Sequence, residues 1–283
     1  MPAAKPRMKP ATRQKPTSKP IVKQPPTVEH YYTQTHLMAV AASRVLEDNK
    51  SVFVGTGLPM IAAMFAQRTH APNLLIIFEA GAVGPQMRML PISVGDSRTT
   101  YKAIAASSMH DNMSFAQAGW LDYGFLGGAQ IDKYGNLNTT YIGGDWNHPK
   151  VRLPGSGGAN DVGSNCRSTI IIMRQDTQKF VEKVTFVTTP GYLDGPGARE
   201  RAGLPAGTGP IKVISQLGVY GFDEKTKIMK LEAIHPGVTL DQIKENSGFE
   251  IIIPENVPET TPPTPQDVAL LRELDPTGMA IGK

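Results

Sequence analysis

The chain has 283 residues, 40% of them hydrophobic and 19% charged, with one cysteine and a formal net charge of +4. That composition describes a globular protein large enough to bury one sizeable core. It excludes a membrane helix, which needs roughly 20 consecutive apolar residues, and the lone Cys166 excludes an internal disulfide or a cysteine-rich metal site and suits a reducing cytoplasm.

The surplus charge is confined to residues 1–27. This stretch holds Lys5, Arg7, Lys9, Arg13, Lys15, Lys19 and Lys23 and no acid, so the remainder carries 22 basic against 25 acidic side chains. A mildly acidic body is no nucleic-acid surface. The same stretch contains seven prolines and almost no large apolar side chains, so it is expected to be a disordered arm ahead of a single domain over 28–283. No apolar run follows the charges as in a secretory signal.

Between Thr35 and Glu47 the apolar residues Leu37, Met38, Ala41, Val45 and Leu46 recur at helical spacing, and Asp48-Asn49 provides a stop. Val52-Phe53-Val54 is a short strand, and Gly55 to Pro59 is a tight turn into a second helix. The turn lacks the third glycine of a dinucleotide fingerprint, since Met60 occupies that place. Leu74 to Phe78 is a continuous apolar run ending in Glu79-Ala80-Gly81. Such a run reads as a parallel strand covered on both faces, and ligand crevices in open α/β sheets form at the carboxyl ends of strands. Glu79 therefore stands either as a nucleophile or base at a pocket mouth, or as a cap or ion-pair partner of Arg88 or Arg98.

Ala80 to Arg98 reads as a long loop whose Met87, Met89, Leu90 and Ile92 are either core or interface residues. Tyr123 to Ile131 reads as one strand, 132–136 as its turn and Leu137 to Ile142 as the return. Gly155-Ser156-Gly157-Gly158 exposes backbone amides that can receive an oxyanion, or is a flexible linker. Ser168 to Met173 and Lys183 to Thr188 read as strands, and Lys212 to Ile234 alternates as a small antiparallel edge. A helix from Thr239 to Glu245, a linker from Pro254 to Pro263 and a helix opened by the Thr264–Asp267 capping box complete the chain.

The six histidines show no metal-ligand spacing, no GxSxG elbow is present, and Cys166 has no local histidine. Asn112-Met113-Ser114 matches a glycosylation acceptor by chance. One strand-end carboxylate and several glycine-rich turns remain, a combination suited to acyl transfer through an anhydride.

Seven motifs occur in the order seen in B subunits of the class I CoA-transferase family: Val54-Gly-Thr-Gly-Leu-Pro59, Phe78-Glu-Ala-Gly81, Ser93-Val-Gly-Asp96, Gly127-Gly-Ala-Gln-Ile-Asp132, Tyr134-Gly-Asn136, Gly155-Ser-Gly-Gly-Ala-Asn160 and Pro190-Gly-Tyr-Leu-Asp-Gly-Pro-Gly197. The chain resembles that family from about Thr33 to its last helix. The resemblance implies an open, mostly parallel α/β sheet flanked by helices, of the type shared with sugar-phosphate isomerases, and an A subunit as partner in a hetero-oligomer. It implies a cytoplasmic enzyme with coenzyme A as substrate and no tightly bound cofactor, moving CoA from an acyl-CoA to a carboxylic acid, with dicarboxylates such as glutaconate among the candidates. Glu79 falls at the position of the family's nucleophile, and Gly157, Gly158, Gln130 and Asn136 are the candidates for oxyanion and CoA-ester contacts. The alternative is an acyl-CoA or ring-opening hydrolase of the steroid-degradation type on the same fold.

Removal of residues 1–27 is expected to leave turnover intact, because the arm lies outside the resemblance and has nothing with which to build a core. Steady-state rates of full-length and shortened chains, each with the partner subunit, check this; a loss of turnover would make the arm part of the enzyme.

Overall fold

Five parallel strands bury both of their faces, and that arrangement fixes the layers around them. A computed structural model describes residues 31–282, so the arm expected over residues 1–27 lies outside the described residues. The described chain opens with α1 (Gln34–Ser43), where the Thr33 hydroxyl accepts from the His36 amide. It continues through β1 (Ser51–Val54), α2 (Leu58–Arg68) and β2 (Leu75–Phe78), then β3 (Ala82–Val83), a 3-10 turn at Ser97–Thr100, β4 (Ala105–Ala106) and α3 (Met109–Gln117). The middle of the chain forms β5 (Tyr123–Leu126), two short hairpins made by β6 (Gln130–Ile131) with β7 (Leu137–Asn138) and by β8 (Tyr141–Gly144) with β9 (Pro149–Arg152), α4 (Ala159–Asn165) and β10 (Ser168–Ile172). The rest is α5 (Ala198–Arg201), β11 (Gly209–Ile214), β12 (Gly218–Phe222), β13 (Met229–Ile234), α6 (Leu240–Glu245) and α7 (Pro265–Leu274).

The main sheet runs β13-β12-β11-β10-β5-β1-β2-β3-β4. From β11 to β2 every neighbouring pair is parallel. Of the antiparallel edge expected over Lys212 to Ile234, β12 and β13 are antiparallel, but its first stretch falls in β11, which pairs parallel with β10; a second antiparallel pair, β3 and β4, lies beyond β2. Strand residues alternate between two cores. Val52, Val54, Ile76, Phe78, Ile170 and Ile172 join the residues of α1, α2 and α7, whereas Phe53, Ile77, Ile171 and Val213 join Ala116 of α3 and Val162 of α4. Because successive strand side chains point to opposite faces, an unbroken apolar run serves both layers, each buried side chain contributing about 1.5–3 kcal/mol. After β1 the chain adds β2 on one side and, later, β5 on the other. The loops leaving β1 and β2 therefore sit at a topological switch point.

Four sequence expectations are corrected. Tyr123 to Ile131 is two strands, broken at Gly127-Gly128, and the return from Leu137 is likewise divided between β7 and β8. Residues 183–188 form no strand, because their amides are taken singly by other partners: Thr185 N donates to the Gln130 amide oxygen and Thr188 N to Leu137 O. The 80–98 loop contains β3, and its Met87 and Leu90 are core while Met89 and Ile92 are exposed. Leu90 N donates to Leu274 O, which docks the loop on α7. Finally, α3 is a helix that no sequence pattern above anticipates, opened by a Ser108–Asp111 capping box.

His235, at the end of β13, is 2% exposed, with Nε2 2.9 Å from Ser215 O and Nδ1 3.0 Å from Thr260 Oγ1. Burial holds its pKa down at about 4, only partly opposed by the Ser215 carbonyl. A base whose folded pKa lies below its unfolded value stabilises the fold above about pH 6.5 and loses that contribution as pH falls towards 4. The stability gap between wild type and His235→Gln, measured by urea unfolding, should therefore shrink by about 2–3 kcal/mol between pH 7 and pH 4.5. A gap independent of pH would mean that His235 titrates alike in both states.

Candidate active site

Glu79 directly follows the last residue of β2 and is half-buried. The turn is closed by Gly81 N donating to Phe78 O at 3.1 Å. Gly81 has φ +121, and a β-carbon there would lie 2.0 Å from Ser107 O. Only glycine admits both the angle and the approach. Among the described residues no hydrogen bond or ion pair engages the Glu79 carboxylate; Arg98 pairs with Asp96, and Arg88 lies over the Tyr101 ring. The reading of Glu79 as an ion-pair partner of either arginine thus finds no support in the geometry. A carboxylate half-removed from water and left without a partner is uncommon outside functional sites.

Glu79 has the strand parity of Ile77, which places it on the α3–α4 side. A β-carbon at Gly158 would lie 3.0 Å from Glu79 Oε1 and 2.3 Å from Met113 Cε. The carboxylate, the α3 methionine and the glycine turn thus converge, and the space between them exists because residue 158 has no side chain. Gly157, with φ +48, bends the chain ahead of it and has open space around its α-carbon. Neither the Gly157 nor the Gly158 amide donates to a protein acceptor among the described residues, whereas Ala159 N is taken by Ser156 O.

Gln130 and Asn136 both take part in hydrogen-bond networks within the protein. Gln130 is buried, and its oxygen accepts from Asn138 Nδ2 and Thr185 N. Asn136 Nδ2 donates to both oxygens of Asp132 and to Leu193 O, and its Oδ1 accepts from Gly191 N and Leu193 N. Burial raises the Asp132 pKa to about 6 despite the hydrogen bonds it accepts from Asn136 and Tyr134. The 190–193 loop held in this way meets Arg199 of α5. That guanidinium, 2% exposed, donates to Pro190 O, Gly191 O, Gly163 O, Ser164 O and Thr208 Oγ1. A chain of hydrogen bonds thus connects Asn136, through the 190–193 loop and Arg199, to Gly163 and Ser164 of the helix that begins after Gly158.

Sequence reasoning missed Met113, Asn112 and Ser107. The available signal was the Ser108-x-x-Asp111 pattern that opens α3. Among the described residues no three His, Cys, Asp or Glu side chains gather as a metal-binding group, and no helix is long and apolar enough to cross a membrane. Cys166 is buried beneath Gly124, and burial pushes its thiol up to about 12, so it is packing rather than chemistry.

The family model for coenzyme A transferase matches residues 35–246. The chain belongs to the coenzyme A transferase family. It is 40% identical over 252 residues to the B subunit of glutaconate CoA-transferase from Acidaminococcus fermentans, covering 87% of this chain and 93% of that relative. It is 39% identical over 245 residues to the B subunit of 3-oxoadipate CoA-transferase from Pseudomonas knackmussii, covering 86% and 94%. The crystal structure of the Acidaminococcus fermentans glutaconate coenzyme A-transferase superimposes with a TM-score of 0.84 at 39% identity, over 89% of this chain and 98% of that one. The fold expected from the sequence is that of this coenzyme A transferase.

Gly158→Ala should drive its methyl group into the Glu79 carboxylate and Met113, lowering coenzyme A transfer by about 10–100-fold with little change in melting temperature. Gly157→Ala should do the reverse, costing about 1–2 kcal/mol of backbone strain with a smaller effect on rate. Parallel rate and melting measurements check the contrast; equal rates for the two variants would contradict the crowding at Gly158.

Proposed function

We propose that this chain is the B subunit of a two-subunit coenzyme A transferase, with Glu79 as its covalent nucleophile. The observation that carries the reading is the Glu79 carboxylate itself: half-buried at the strand tip, without a polar partner among the described residues, and facing a glycine turn with two unused amides. The two relatives are B subunits of glutaconate and 3-oxoadipate CoA-transferases, which supports a second, A subunit as partner and a short dicarboxylic acid as one substrate.

In this mechanism a Glu79 oxygen attacks the thioester carbonyl of the donor. The tetrahedral oxyanion collapses by expelling CoA thiolate, leaving a mixed anhydride between the donor acyl group and Glu79. The thiolate then attacks the Glu79 carbonyl carbon, releasing the donor as its carboxylate and leaving CoA in thioester linkage to Glu79. An acceptor carboxylate attacks that thioester, the thiolate leaves again, and its attack on the acceptor's acyl carbon yields the new acyl-CoA and free Glu79. The Gly157 and Gly158 amides serve as oxyanion donors, since they are preorganised and cost no reorganisation when charge develops. Hydrolysis of the same thioester is the competing outcome.

Glu79→Gln retains shape but loses the attacking anion, so transfer should fall by several orders of magnitude at an unchanged melting temperature. Glu79→Asp withdraws the carboxylate by one methylene and should also be crippled. Borohydride added after incubation with acyl-CoA should inactivate wild type by reducing the Glu79 thioester. A folded Glu79→Gln enzyme with near-normal transfer would sink the proposal.

A further inference from the structure

The first residue to support the nucleophile's turn from outside is Asn112, in the middle of α3. It is 0% exposed. Asparagine is a poor helix former, and a buried amide without partners would cost about 1–3 kcal/mol, so its place in the helix calls for a cause. Its Nδ2 donates to Phe78 O at 2.7 Å, the carbonyl immediately before Glu79. Its Oδ1 lies 2.7 Å from the Ser107 hydroxyl, which is also 3.1 Å from Gly81 O, while Ser107 N donates to Gly81 O at 2.9 Å. Flipping the amide would set oxygen against the Phe78 carbonyl, so the orientation is unique.

The geometry points to Asn112 as the positioning residue for Glu79, gripping the turn at Phe78 directly and at Gly81 through Ser107. It rests on the reading of Glu79 as nucleophile. The clamp spans both ends of a turn whose middle residue carries the carboxylate, and the next helix residue, Met113, is the one that meets the Gly158 turn. Rotation of α3 or loss of the amide would move the carboxylate relative to the Gly157 and Gly158 donors. A nucleophile displaced by about 1 Å can lose about 100-fold in rate. The acceptor-site match at Asn112-Met113-Ser114 has no part in this, since the amide is enclosed and both of its ends are engaged.

The test uses the enzyme assembled with its A subunit and reads single-turnover formation of the hydride-reducible thioester on Glu79, located by peptide mass. Asn112→Asp keeps the shape and the acceptor for Ser107 but sets an oxygen against Phe78 O. Thioester formation should slow by about 10–100-fold while the donor KM changes by less than about threefold. Ser107→Ala, which keeps the backbone bond to Gly81 O, should slow it by about 3–10-fold with the same split. A merely structural asparagine would lower the melting temperature and leave the rate of the folded fraction unchanged. That result, or a loss entirely in KM, overturns the inference. If Asn112→Asp does not fold, Ser107→Ala decides, and a wild-type rate in that variant overturns it. Absence of any thioester on Glu79 in the unmutated enzyme would instead remove the nucleophile reading, and this inference with it.

Discussion

Arg199 is the largest fully buried side chain among the described residues, and the site depends on where its guanidinium can find acceptors. It has no carboxylate partner among them. Its hydrogen bonds run to four backbone carbonyls and one hydroxyl, from the 190–191 loop, the end of α4 and Thr208. Burying a cation is costly unless its donors are met, and here both terminal nitrogens are met by this set of acceptors while Nε is left without one. Removing it would strand those carbonyls and release α4, whose first turn begins at Gly158. Asn136 and Asp132 hold the other side of the same loop, so the glycine turn facing Glu79 is braced from two directions by polar networks that never touch it.

Glu79 itself lies at a change of regime in the sheet. Up to β2 the strands are parallel and double-faced; beyond β2 they are two residues long and antiparallel. The turn at Glu79 makes that reversal, which is why it needs Gly81 at φ +121 with Ser107 pressed against it. A longer loop would have freed the carboxylate to swing, and a continuing strand would have carried the residue past the sheet edge. The reversal fixes it at the tip, on the face that α3 and α4 cover.

What the sequence revealed follows from the range of each signal. The Leu74–Phe78 run, the Thr239 and Thr264 caps and the β12–β13 alternation are local patterns, and they are found where expected. The α3 helix was invisible to periodicity because of its helical residues only Asn112 and Ala116 are buried, one of them polar. Residues 183–188 carry a β-like pattern, but Thr185 N donates to the Gln130 side chain and Thr188 N to Leu137 O, partners about 50 positions away in sequence that no window could contain. For the candidate site, Glu79 and the Gly157-Gly158 turn were legible as residue types, whereas the partners that Gln130 and Asn136 take within the protein were not. A buried amide at the end of a glycine-rich motif reads the same whether it faces substrate or braces a loop.

The small size of β3 and β4 bears on how this molecule loses its competence when heated. The Glu79 turn is tied to Ser107 and Asn112 by hydrogen bonds across a closed loop of 26 residues, and the only strands within that loop are two residues each. Such units open locally at a fraction of the free energy needed to unfold a five-strand parallel core. Parting of the β3–β4 pair would release the carboxylate from register without opening the parallel layers, although Met87 and Leu90 between the two strands anchor the segment to the core. The bonds that set the carboxylate's register are distinct from those of the parallel ladder, so heat can break the first set before the second.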